Sequence, residues 1–234
     1  MINNKFKWIY VHPSSCSGSP VEYLLGKISD GFQKGYPLNY SFIPDTFDGT
    51  VAVDHYSIVD WETELGEEFD SYWKFSFARN PFDRCLSVYS GIVRDTEHGY
   101  SKYLKEYTFE ESILNGKLFG WFTPLFSDDG FYKKSDGTLG VDFIGKVETF
   151  QEDFDFICNY LGLKTQKLPH MNKSEYEVDS NASYYSASKK YFSPKSIEII
   201  SEVFCDDILF RTYDLRDSDE IQRLRVSNSL YFKS

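Results

Sequence analysis

The sequence predicts an α/β protein built on a mostly parallel central sheet flanked by helices. Three observations predict it. The runs 6–11, 72–78 and 141–147 are rich in aromatic and β-branched residues and poor in charge, which is strand composition. Each is followed by a stretch with helical spacing, so strands and helices alternate. The runs read as apolar on both faces, as strands of a covered parallel sheet do. In such sheets ligands bind outside the carboxyl ends of the strands, and all three runs end in polar, loop-forming residues.

The elements follow in order. After the first run comes a loop of small residues, His12 to Pro20, and then a helix over 21–28 with Val21, Leu24, Leu25 and Ile28 at helical spacing. Pro20 suits a first helical turn, where its missing N–H costs nothing. Residues 29–52 are rich in Gly, Pro, Asp and aromatics, which predicts turns with a short strand at 40–43. Ser57 caps a helix over 57–65. The second strand runs into Arg79, then Asn80 as cap and Pro81 in the first turn of a helix over 82–93. Residues 109–114 read as helix, and 127–140 as a polar loop or hairpin with turn signals at Gly130 and Gly137. A helix over 150–161 is closed by Gly162. Residues 164–183 read as a polar loop, 194–205 as the last clear helix, and 216–234 as a charged tail or terminal helix. With no internal repeat and no low-complexity linker, 1–234 reads as one domain.

Composition narrows the function. The net charge of −11 argues against a general nucleic-acid binder, which carries a basic face, while leaving room for local basic pockets. With 18% aromatic residues, some rings must lie near the surface, where they line clefts. Cys16, Cys85, Cys158 and Cys205 match no zinc or redox spacing, and with four His residues no metal site is expected. Cys85 and Cys158 sit in apolar, helix-like runs and are expected as buried thiols. No signal-like segment and no run of ~18 apolar residues are visible, so the expectation is a soluble cytoplasmic protein without integral membrane contact.

Two segments carry chemistry. The loop holding Ser14, Ser15, Cys16, Ser17, Gly18 and Ser19 has side chains small enough for a tight turn. Its N–H groups can then converge on an anion at the positive end of the following helix. An ordinary surface loop is the plainer reading. It is no Walker A loop, because Gly18 is followed by Ser19 and Pro20 and not by Lys; a nucleotide kinase is disfavoured accordingly. The second segment places Arg79 at a strand end and Ser87 two turns into the next helix. A guanidinium fork with a hydroxyl suits a terminal phosphate. The plainer readings are an ion pair with Asp83 for Arg79 and a small residue at a helix contact for Ser87.

Together these segments resemble the sulfotransferase superfamily, in particular the carbohydrate sulfotransferase branch. Residues 9–20, followed by Val21-Glu22, resemble the family's first strand and loop. Residues 77–89, Phe-Ala-Arg-Asn-Pro-Phe-Asp-Arg-Cys-Leu-Ser-Val-Tyr, match its second motif nearly throughout. Residues 141–154, 168–174 (Leu168 to Ser174) and the Phe204-Cys205-Asp206-Asp207 stretch resemble further family segments. The order and spacing hold from about residue 6 to 215.

The resemblance implies a P-loop-like sulfotransferase fold and a donor, 3′-phosphoadenosine 5′-phosphosulfate, with 3′,5′-adenosine bisphosphate as product and no metal. By position, Ser14 to Ser19 hold the 5′-phosphosulfate, Arg79 and Ser87 hold the 3′-phosphate, and the loop around Lys173 closes over the nucleotide. The implied reaction moves a sulfuryl group to a hydroxyl of a carbohydrate or small metabolite. One departure stands out: the family's first loop carries a Lys where this chain has Ser14 or Ser15. Lys7, Lys146 or Lys173 are the replacements to consider; the alternatives are a nucleotide-binding protein without catalysis and a changed donor or reaction. For the base that takes the acceptor's proton, His55 is the first choice and Glu22 the second; a surface or capping His is the plainer reading of His55. His12 ends a strand and is expected to orient the loop.

Overall fold

The computed structural model of the chain describes residues 1–16, 18–28, 50–51, 55–94, 104–120, 122–127, 130–168 and 191–212. In chain order these form β1 (Ile2–Asn3), β2 (Trp8–Val11), α1 (Gly18–Ile28), β3 (Thr50–Val51), α2 (Ile58–Leu65), β4 (Trp73–Ala78), α3 (Pro81–Arg94), α4 (Phe109–Leu114), β5 (Phe143–Lys146), α5 (Phe150–Tyr160), α6 (Pro194–Val203) and α7 (Cys205–Thr212). The strands form one sheet in the order β3-β1-β2-β4-β5. The three longer strands, β2, β4 and β5, run parallel, with Tyr10 opposite Phe75 and Ala78 opposite Lys146. The two-residue β1 and β3 extend one side antiparallel. The class is therefore mixed α/β, with all three expected strands present. The strand expected at 40–43 and the tail at 216–234 lie outside the described residues, as does most of the loop expected over 164–183.

The chain divides into two compact units, Met1–Arg79 with Phe131–Lys173, and Asn80–Gly130 with Ser174–Ser234. The first contains the sheet. Alternation puts Trp8, Tyr10, Phe75 and Phe77 on one face, where they meet Val21, Leu24 and Leu25 of α1 and Phe154, Ile157 and Cys158 of α5. Gly145 of β5 is required by this packing, since a Cβ there would lie 2.5 Å from the Phe77 ring.

The other face departs from the expectation of apolar strands. Lys74 and Ser76 of β4 are buried there. Lys74 is tolerated because its ammonium donates to Tyr72 O at 2.6 Å, lies 3.5 Å from Asp142 Oδ2 and sits over the Phe69 ring. Ser76 Oγ donates to Val11 O at 2.6 Å, and Tyr132 OH, 3.0 Å from that hydroxyl, donates to Phe77 O. Buried polar atoms are affordable when partnered in this way.

The second unit is helical in its described part. Phe82, Cys85 and Val88 of α3 pack with Ile113 of α4, Ile200 of α6 and Phe204. Asn80 caps α3 as expected, its Oδ1 accepting from Phe82 N–H at 2.9 Å. The helix expected over 194–205 breaks at Phe204 and resumes as α7. Arg84 is fully buried, donates to Thr123 O at 2.8 Å and lies 3.8 Å from Asp207, whose carboxylate accepts from the Leu125 and Phe126 amides. Cys85 and Cys158 are buried free thiols. Among the described residues no helix is long and apolar enough to cross a membrane.

Candidate functional site

Because β2, β4 and β5 are parallel, their carboxyl ends share one side of the sheet. There β2 gives way to the Ser-rich loop, β4 to Arg79, and β5 ends at Lys146. The loop is tightly wound. Cys16 N–H donates to Pro13 O at 3.3 Å, and Ser15 takes a left-handed backbone with φ +60°. Ser14 and Ser15 are half-buried, while Cys16, Gly18 and Ser19 are buried. Cys16 is fully buried, and its amide is engaged within the loop. Ser17 and Lys173 lie outside the described residues.

Gly18 opens α1, and its missing side chain has a definite tenant. A Cβ there would lie 1.7 Å from Nε2 of His12, so the imidazole fills the space at the start of the helix. The ring stacks on Tyr10, and its Nδ1 lies 3.0 Å from Oε1 of Glu22. A carboxylate only accepts, so Nδ1 donates. Glu22 reaches the loop because helical side chains lean toward the N-terminus. Burial pulls the Glu22 carboxyl upward, but the hydrogen bond and charge of His12, together with the charges of the N-terminus and His55, leave it below the usual carboxylate range. A carboxylate so held is a weaker proton acceptor than a free one.

His55 lies just before α2, whose N-cap Ser57 forms a capping box with Asp60. Its Nδ1 is 2.9 Å from the main-chain oxygen of His12. A carbonyl only accepts, so Nδ1–H donates, and Nε2 is then the lone-pair nitrogen of the neutral ring. The two imidazoles lie 5.0 Å apart. His55 also has a left-handed backbone, φ +52°, an arrangement that costs a non-glycine residue about 1–2 kcal/mol. Its side chain is exposed. A held tautomer with an exposed ring is the geometry a proton acceptor needs.

Arg79 is half-buried and turns toward the loop, where Nη1 donates to Ser15 O at 3.2 Å. The guanidinium and the Ser-rich loop therefore meet at one place. Ser87 lies half-buried in α3, in the other compact unit.

Of the two described lysines considered as replacements for the loop cation, Lys7 is at the wrong end. It precedes β2, and its ammonium is 3.3 Å from Glu68 and 3.1 Å from Tyr72 OH. Lys146, half-buried, ends β5 opposite Ala78, on the loop's side of the sheet.

No protein-family model, curated protein or solved structure matches this chain. Sequence reasoning missed the pairing of His12 with Glu22. The available signal was an acid on the first turns of a helix, close in space to the histidine that ends the preceding strand.

Proposed function

We propose that this chain has a P-loop-like sulfotransferase fold and moves a sulfuryl group from 3′-phosphoadenosine 5′-phosphosulfate to a hydroxyl of a carbohydrate or small metabolite. The observation that carries this reading is the meeting of Arg79 with the Ser-rich loop: Nη1 lies 3.2 Å from Ser15 O. A nucleotide with phosphate at both ends needs two anion receptors a short distance apart. Loop amides at a helix start suit one and a guanidinium suits the other. The residues fit such a ligand by donor chemistry, with the Cys16 amide as the exception already engaged.

The bound donor would supply the sulfuryl group, whose bond to the bridging phosphate oxygen breaks as the acceptor oxygen attacks sulfur. His55 Nε2 would take the acceptor's proton, its ring held by Nδ1–H donation to His12 O. The Ser14 to Ser19 loop and the start of α1 would stabilise the negative charge growing on the departing phosphate, and Lys146 is the described ammonium on that side of the sheet.

Calorimetry with 3′,5′-adenosine bisphosphate is the direct test. The expected result is saturable binding that Arg79→Ala weakens severely, down to the level of a nucleotide without a 3′-phosphate. No heat of interaction at millimolar nucleotide would overturn the reading.

The second reading, nucleotide binding without transfer, is favoured by Lys7 being held at the far end of β2. A labelled-donor assay over a glycan panel separates the two. If Lys146 stands in for the loop cation, Lys146→Met lowers turnover ~10²–10³-fold with nucleotide affinity nearly unchanged. Sustained turnover of the wild type removes the second reading.

A further inference from the structure

Among the described residues Lys7, Ser15 and His55 are the non-glycine residues with positive φ, and two of them lie at the candidate site. L-residues adopt this backbone singly and at a cost, so it persists where its surroundings impose it. At Ser15 one contact that can hold it is present. The carbonyl turned out by the left-handed backbone receives the Arg79 guanidinium at 3.2 Å, a charge-assisted bond and hence stronger than a neutral one. On its other side the loop is closed by Cys16 N–H donating to Pro13 O. Arg79 is well placed to impose shape. It follows β4, which is paired on both sides, with β2 and β5, and is pinned further by Ser76 and Phe77 through Tyr132. The bond therefore ties the loop after β2 to the end of a firmly held central strand.

We propose that Arg79 is a positioning residue for the Ser-rich loop in addition to being an anion receptor. By holding Ser15 O it sets the loop's shape, and so governs the grip on a 5′-phosphate that it need not touch. This inference rests on the proposed nucleotide-binding role and adds a dependence that role does not require. A guanidinium serving the 3′-phosphate alone would matter only to ligands that carry one.

The experiment compares two probes, 3′,5′-adenosine bisphosphate and adenosine 5′-phosphate, on the full chain. Binding is followed by calorimetry and ligand-observed NMR, with unfolding midpoints recorded to confirm folded variants. In Arg79→Ala, affinity for the 5′-monophosphate is expected to fall ~10–100-fold, the worth of one charge-assisted hydrogen bond. The decisive variant adds Ser15→Gly to Arg79→Ala. Glycine adopts positive φ without support, so most of the monophosphate affinity should return while the bisphosphate's additional affinity stays lost. The double variant carries the same test if Arg79→Ala alone is unfolded. Two results overturn the inference and leave the proposed function standing: monophosphate affinity equal to wild type in Arg79→Ala, or a double variant no better than the single. A wild type that binds the bisphosphate but shows no monophosphate binding at millimolar concentration also overturns it, since the loop would have no grip of its own to set. A wild type that binds neither probe overturns both.

Discussion

Glu22 in the first unit and Asp207 in the second are both largely buried acids beside a basic side chain, yet their carboxyl groups are displaced in opposite directions. Burial raises both. At Glu22 the His12 ring is 3.0 Å away, and its hydrogen bond and charge, with the charges of the N-terminus and His55, outweigh burial, so the carboxyl falls below its ordinary value. At Asp207 burial is nearly complete and the Arg84 guanidinium stands 3.8 Å off. Even with two amides donating to it, the carboxyl is pushed up to about 6. The difference teaches that a formal ion pair does not by itself fix an acid's charge. Distance to the partner and depth of burial decide it. The acid of the candidate site is held ionised and serves to fix a ring. The acid of the helical unit caps two amides and compensates a buried guanidinium.

The largest expected effect comes from breaking the second pair. Arg84→Met should cost about 3–5 kcal/mol in denaturant unfolding, because Asp207 is left buried without its compensating charge. A loss under about 1 kcal/mol would mean that the pair contributes no more than a surface one.

Next comes Gly18→Ala. The added Cβ meets the His12 ring, and overpacking of this kind costs about 1–3 kcal/mol. On the proposed function, affinity for 3′,5′-adenosine bisphosphate should fall with it, read by the same calorimetry. Unchanged stability and affinity would show that the ring has another place to go.

The smallest effect, and the one that sharpens the contrast most, is in pH. Glu22 lies below its unfolded value, so its contribution is present above the ordinary carboxylate range and is lost as pH falls through the folded value. Asp207 lies above its unfolded value, so the folded state binds more protons between about 4 and 6, and its part of the stability grows as pH falls across that window. Protection factors from native-state hydrogen exchange should therefore rise at Leu125 and Phe126 between pH 7 and 5. Glu22→Gln should remove the acid-side loss in the first unit while leaving those two amides alone. A common pH dependence in both regions would refute the contrast.

Much of the frame was legible. Runs such as Trp73 to Ala78 announce strands by composition, and Ser57 and Asn80 announce helix starts by local hydrogen bonding, since both signals are confined to a few neighbouring residues. What escaped depended on contacts distant in sequence or on small spaces. Lys74 reads as a blemish in an apolar run until Asp142 and the Phe69 ring are found beside it. Gly18 reads as a residue that frees the backbone, whereas its importance is the volume given to His12. Arg79 could be singled out as a candidate anion receptor, but its hold on Ser15 O could not, because the loop's left-handed turn has no local glycine signature.

The segmentation of the chain bears on how it is made. The sheet-bearing unit draws on Met1–Arg79 and on Phe131–Lys173, with Asn80–Gly130 between them. During synthesis β2 and β4 emerge long before β5, and a whole stretch belonging to the other unit is translated in between. The sheet stays one strand short through that interval, with the β5-facing side of β4 awaiting its neighbour. Such long-range parallel pairing is intrinsically slow, and a nascent edge of this kind invites association with other chains. Recovery of folded protein should accordingly depend on translation speed and chaperone supply more than on the strength of any single contact in the finished molecule.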